Sequence, residues 1–374
     1  PVRGGSFAAA GASVDVQGTR AAIGVPYASS VNGMTGSVLL RARVGGQWSQ
    51  SGALSAPGRR SGGRFGAAVG VHGAWTVVGE PGRNRVHVFD GLNHVAEFTA
   101  PNPAPGMDYG AAVAIDGDHL VIGAPGDHGD GVDAGAVYVS RFAGSAWSAP
   151  TRVTTTALGD RVGDRLGTDV DVRSMGFGAE VIAGAPGDST RGTGAGAVVR
   201  IQRSGAGWRV PATGGRLVDP RGAAGDGLGS SVATSPYLVV AGAPGADRRG
   251  AVDAGRVVAF TPDGAHVIGR DAGAPASHDR FGASVDVSGV DVVVGAPGDD
   301  GAGIDSGSLH RFVQVGATLA ERGEVVAPDA GVAVGFGTSV AISDTGRIAG
   351  GAPGRGVHAF GDGSGVNMLH VALE

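Results

Sequence analysis

The chain has 374 residues, of which 73 are glycine and none is cysteine; 42% are hydrophobic and the formal net charge is −5. The acidic balance gives no support to nucleic-acid binding, and the lack of Cys excludes disulfides, thiolate metal sites and cysteine nucleophiles. Glycine spread through regular apolar runs signals many tight turns, not disorder. Every one of the 29 basic residues is arginine, a bias that a GC-rich genome accounts for. No apolar run approaches the length needed to span a bilayer. The sequence opens on Pro1 with no initiator Met, which reads as a trimmed or processed chain with any signal peptide already gone.

One unit recurs along the chain. The most worn copy comes first, AGASVDVQGTRAAIGVPY, with Ala10 at its opening. Phe65 then opens FGAAVGVHGAWTVVGEPGRNRVHVF, in which Glu80 replaces the usual Ala. Tyr109, Leu166 and Leu228 open the next three copies, Phe281 opens FGASVDVSGVDVVVGAPGDDGAGIDSGSLHRF, and Phe336 opens the last. The anchoring glycines are Gly11, Gly66, Gly110, Gly167, Gly229, Gly282 and Gly337. Seven copies in 374 residues give about 53 residues per unit, a spacing typical of propellers and solenoids.

Each copy reads as three short strands. In the Phe281 copy, FGASVDV is a period-2 strand and VDVVVG is a β-branched run too short for a helix. Ala296-Pro297-Gly298-Asp299 follows as a predicted type II turn, with Pro presetting φ and Gly298 at positive φ. A fourth, variable strand is expected at Gln47–Leu54, 95–100, WSAPTRV, GWRVPAT, HVIGR, Thr318–Val326 and NMLHVALE (about Val366–Leu373). The expected fold is an all-β, seven-bladed propeller of four-stranded antiparallel blades in a single domain. The blades fall at approximately 1–63, 64–107, 108–163, 164–225, 226–278, 279–334 and 335–374, each from contiguous sequence. Packing of apolar blade faces is expected to hold the ring, with the seam between first and last units its marginal point.

The Phe-Gly start and Gly-Ala-Pro centre resemble FG-GAP repeats, the units of the seven-bladed propeller at the head of integrin α subunits and of many bacterial surface proteins. The resemblance covers the whole chain. It implies an extracellular or cell-surface binding or adhesion module, monomeric, that holds a protein partner through the loops of one face and is not an enzyme. A carbohydrate-binding propeller, with surface glycan as partner, is the alternative. An enzyme with a site in the axial channel is a third class; it needs unrepeated His, Glu, Asp or Arg converging there, and no such set is legible. The resemblance also raises calcium, which integrin-type propellers hold in an Asp-x-Asp-x-Asp-Gly-x-x-Asp loop between first and second strands. The corresponding loops here, DVQGTR, GVHGAW, AIDGDH, DVRSMGFGAE, ATSPYL, DVSGVD and AISDTGR, lack that pattern, so none of the family's metal residues carries over. No cofactor is required on this reading.

The loops between second and third strands are acidic. They hold Asp127, Asp130 and Asp133 in the third unit and Asp299, Asp300 and Asp305 in the sixth. Three carboxylates within seven residues have the chemistry to gather round Ca²⁺, with Asp127, Asp130 and Asp133 the metal candidates. They equally serve as Asx-turn formers, and the recurrence of Asp-x-Gly at Asp133, Asp253 and Asp305 favours a structural turn. Asp164-Arg165 and Asp279-Arg280, with partial copies at Arg64 and Asp226, read as ties between loops because they repeat. Trp48, Trp147 and Trp208 recur near the outer strand and read as packing before sugar platforms; the ten His show no metal-spaced pair. The acidic loops and the blade-to-blade connections share one face, which is the expected binding face.

Overall fold

The computed structural model describes residues 9–30, 32–58, 60–153, 155–159, 161–175, 178–205, 207–264, 267–327, 334–353, 356–360 and 369–372. Apart from two three-residue 3₁₀ turns, at Pro81–Arg83 and Thr156–Leu158, the regular structure there is all strand. Consecutive strands pair antiparallel into radial sheets, each running outward from an inner strand. The inner strands are Ser13–Gln17, Val69–His72, Ala112–Asp116, Val170–Met175, Ser231–Thr234, Ser284–Ser288 and Ser339–Ile342. Each neighbours the next around an axis, and Ser339–Ile342 returns to Ser13–Gln17 to close the ring.

Six of these blades have four strands. The expectation of seven four-stranded blades is therefore corrected: the sheet built from 164–225 has five. Its outer position is split between Gly207–Arg209 and Arg216–Leu217, which pair with opposite ends of the same third strand, Ala197–Ser204. Pro211 lacks the N–H a continuous ladder needs, and the chain loops out between the two pieces. In the last blade Leu369–Ala372 pairs with Gly356–Phe360, so that outer strand comes from the same unit; the rest of the expected Val366–Leu373 strand lies outside the described residues.

The repeat's opening residue explains how the blades pack. Phe65, Tyr109, Leu166, Leu228, Phe281 and Phe336 are all essentially inaccessible to solvent. Each belongs to an apolar cluster straddling the junction between its own blade and the one before, as Phe281 does with Val257 and Ala259 behind it and Val292 and Phe312 ahead. At the closing junction the worn first unit supplies Ala10, which packs with Val14, Ile23, Ala341 and Ala349. Small residues on both sides fill the seam where an aromatic ring is missing.

The glycine of the Ala-Pro-Gly turn has a different reason from the one predicted. The Asp299 amide does donate to the Ala296 carbonyl at 3.2 Å, closing a turn, but Gly298 is not at positive φ. Its amide donates 3.1 Å to the carbonyl of Asp279 in the preceding blade connection, and a Cβ at Gly298 would overlap the backbone carbonyl of His278. Gly126 and Gly187 are pressed the same way against the carbonyls of Gly106 and Gly163. The glycine therefore allows close approach of two backbones; it does not set a left-handed turn. Gly298→Ala is expected to cost about 1–3 kcal/mol by overpacking, although alanine is at ease at negative φ. A thermal melt checks this, and an unchanged midpoint would contradict the close-approach account.

Candidate functional site

Two regions gather polar groups: the loop face and the axis. On the loop face, the second-to-third loops are hydrogen-bonded to the blade connections beside them. The amides of Gly163 and Arg165 donate to the carbonyls of Val132 and Asp133, and those of His278 and Arg280 donate to Val252 and Asp253. The loops are thus tied to the blade connections beside them. Asp133, Asp253 and Asp305 all adopt the left-handed conformation, with φ of 50°, 50° and 51°. The residue before each is an exposed aliphatic: Val132, Val252 and Ile304, at 63%, 50% and 64% of full exposure.

The acidic residues of these loops have defined internal partners. Asp127 is buried; it accepts from the Gly129 amide at 2.7 Å and the Tyr138 hydroxyl at 2.7 Å, and pairs with Arg152 at 3.1 Å. Asp130 meets Arg152, the Thr155 hydroxyl and the fully buried Arg161 guanidinium at 2.6 Å. Burial alone would raise the Asp130 carboxyl, but the Thr155 hydroxyl, Arg152 and Arg161 bring it down to about 2. Asp133 is exposed beside His128. In the sixth blade Asp299 accepts from the Gly301 amide and the Ser308 hydroxyl, and Asp300 from the Asp305 amide. The structure thus brings Asp127 and Asp130 together around arginine, while Asp299 lies near His310 and Glu324. Among the repeated Asp-Arg pairs, Asp279 caps its own turn through the Ala276 amide and Arg64 pairs with Asp108 at 2.6 Å, whereas the Arg165 and Arg280 side chains are exposed.

The tryptophans recur as packing elements. Trp147 lies edge-on to Trp75 at 5.7 Å, and Trp208 edge-on to His119 at 5.6 Å. Trp48 packs against the cluster at the closing seam.

Around the axis the inner strands line a cavity of about 570 Å³. Polar residues two, four or six places after several of the anchoring glycines share one side of the strand and reach forward to the next blade. Asp15 accepts from the Val71 amide at 2.6 Å, Asp169 and Asp171 from the amides of Val232 and Thr234 at 2.8 and 2.6 Å, and Asp286 from Ile342 at 2.6 Å. In each case the other carboxylate oxygen accepts the amide of the following residue in its own strand. Ser13, Ser284 and Ser339 donate to the carbonyls of Gly66, Gly337 and Gly11, the last across the closing seam. At the hairpin end, His72 lies 3.1 Å from Asp116, with Gln17 2.9 Å from the same ring nitrogen. Hydrogen bonding to Asp116 raises the His72 pKa.

Comparison with known proteins finds a known repeat in two segments of the chain. Residues 92–140 and 271–312 match the FG-GAP repeat. Among solved structures, a streptogramin B lyase aligns with a TM-score of 0.61 at 9% identity, over 93% of this chain and 92% of that one. A chain of a mitotic checkpoint complex aligns with a TM-score of 0.52 at 13% identity, over 91% and 86%. At these identities the likeness is one of fold. No curated protein matches the chain.

Within the repeated units, sequence reasoning passed over the axial carboxylates, and a signal for them was present. Asp15, Asp171 and Asp286 each lie four residues after the anchoring glycine, inside strands whose alternation hid them as outward polar positions. Burial pushes Asp169 up to about 6 and, with repulsion from Asp15 and Asp169, Asp286 up to about 7. Burial and the charge of Asp286 raise Asp171 as well. A carboxyl raised on folding stabilises fully below its unfolded value, and that contribution fades as pH rises through the folded value. The melting temperature is therefore expected to fall by several degrees from pH 4.5 to 7.5 (~3 pH units spanning the shifted range). Asp286→Ala should flatten that slope; a wild-type midpoint rising over the same range would contradict the assignment.

Proposed function

We propose that the protein is an extracellular binding module that holds a protein partner on the loop face of the propeller. The observation that carries this reading is the recurrence of Val132, Val252 and Ile304. Three blades present an exposed aliphatic side chain at the same loop position, each next to an Asp held in the left-handed conformation. Loops held on a rigid scaffold are where binding side chains gather, and each of these three offers an aliphatic contact beside a left-handed backbone. Asp133, Asp300 and Asp305 give that surface its acidic rim, Asp127 and Asp299 act from beneath by fixing the loops, and Asp130, exposed at the edge, ties them to Arg152 and Arg161. A basic or amphipathic protein surface is the complementary partner. The FG-GAP match supports this reading, since such propellers are often extracellular binding modules. No helix among the described residues is long and apolar enough to cross a membrane.

A second reading, chemistry in the axial channel, draws on the His72–Asp116 pair at the channel mouth and on the likeness in fold to a lyase. The two separate by mutation. Replacing Val132, Val252 and Ile304 together by Glu is expected to abolish capture of a surface-extract partner that the unaltered chain retains, with no change in melting temperature. Capture that survives the triple substitution but is lost in His72→Ala would move the site to the axis.

A further inference from the structure

The second blade departs from the repeat in a way the loop face does not use. Where other units carry Ala124, Ala185, Ala243, Ala296 or Ala352 in Gly-Ala-Pro, this one carries Glu80, and its carboxylate is buried. A buried carboxylate needs a partner. Glu80 has two: Arg83, whose Nε lies 3.6 Å from Oε1, and His87 on the third strand, Arg85–Asp90, whose Nε2 lies 2.9 Å from Oε2. The His87 ring is fully buried and sits edge-on to Phe65. With Nε2–H donated to Glu80, the lone pair on Nδ1 points away from the carboxylate.

The fourth strand, Asn93–Thr99, brings two more donors to that nitrogen. Its register runs His94 opposite Phe89, then Ala96 opposite Val88 and Glu97 opposite His87, leaving Val95 as a bulge. Without the bulge, residues 94 and 97 would face opposite sides of the sheet. The extra residue turns both toward His87, the re-aiming for which bulges are used. His87 Nδ1 lies 3.2 Å from His94 Nε2 and 3.7 Å from Glu97 Oε2. The other Glu97 oxygen is held by Arg85 at 3.0 Å.

We propose that His87, His94 and Glu97 form a site for one divalent transition-metal ion of the zinc class at the rim of the second blade. Bonds of about 2.0–2.2 Å at tetrahedral angles separate ligand atoms by about 3.3–3.5 Å, and the observed separations bracket that range. Two imidazoles and one carboxylate match zinc's preferred donors and leave a fourth position facing solvent, where His94 and Glu97 are exposed. Glu80 behind His87 completes the carboxylate–histidine–metal arrangement that fixes the tautomer of a ligating ring. The sixth blade has a related group, Asp299, His310 and Glu324, in which the carboxylate behind the ring, Glu321, is half-exposed and lies 3.4 Å from His310 Nδ1, against 2.9 Å for the buried Glu80 and His87. There His310 Nε2 faces the Ser308 hydroxyl, and both Asp299 oxygens already accept hydrogen bonds.

The test is titration of the intact chain with Co²⁺, read by the visible spectrum of a tetrahedral centre, with Zn²⁺ as competitor and calorimetry for stoichiometry. One equivalent is expected. His94→Ala and Glu97→Gln should each weaken binding by at least about 10-fold with the melting temperature of the metal-free protein unchanged, and Glu80→Gln by about 10–100-fold. Glu324→Gln should leave binding intact. Absence of a cobalt spectrum, a spectrum unchanged in His94→Ala, or loss in Glu324→Gln alone would each overturn the proposal.

Discussion

A propeller blade has an edge problem at its centre. The innermost strand of each sheet has no inner neighbour, so a row of its backbone amides faces the axis with no ladder to join. In this chain the preceding blade supplies the acceptors. The Asp15, Asp169, Asp171 and Asp286 carboxylates each bind one amide of their own strand and one of the next blade's, so that one side chain closes two backbone groups and one seam. Serines do the complementary work on the carbonyls. All these contacts run in the same rotational sense, including the one across the first and last units. The ring is therefore stitched as well as packed, and the seam expected to be marginal has both a serine bond and an alanine-filled cluster.

This stitching has an electrostatic consequence. Carboxylates gathered around a narrow cavity lose hydration and repel one another, which is why several titrate above the ordinary range. Amide donors offset part of that cost. On the rim the opposite regime holds: Asp130, ringed by Arg152, Arg161 and Thr155, is held ionised. The same residue type thus serves as a partly neutral clamp at the axis and as a charged brace under the loops, and position in the blade decides which.

Much of the architecture was legible because it repeats. The period, the strand triplets, the buried opening aromatic and most outer strands, Gln47–Leu54 and Thr318–Val326 among them, follow from alternation and turn chemistry. What escaped reading depends on a neighbour that sequence does not show. Gly298 reads as a turn glycine, yet its constraint is the His278 carbonyl of another connection. The outer strand around Trp208 reads as one piece, yet Pro211 splits it. Asp286 reads as the solvent side of a strand, yet that side meets the next blade. His87, His94 and Glu97 show no metal spacing, because a hairpin and a one-residue bulge bring them together. Of the acidic loop residues, Asp127 and Asp130 were found by composition, but their arginine partners, Arg152 and Arg161, lie 22 to 31 residues downstream and carried no local signal.

The stitching is most directly tested by amide hydrogen exchange at the axis. The Val71, Val232, Thr234 and Ile342 amides belong to strand edges that face a water-accessible cavity, and each is bound only by an aspartate from the preceding blade. They are expected to exchange as slowly as amides inside the blade ladders. In Asp286→Ala, Ile342 alone should become fast while Thr234 stays protected. Fast exchange at all four amides in the unaltered protein would contradict the account.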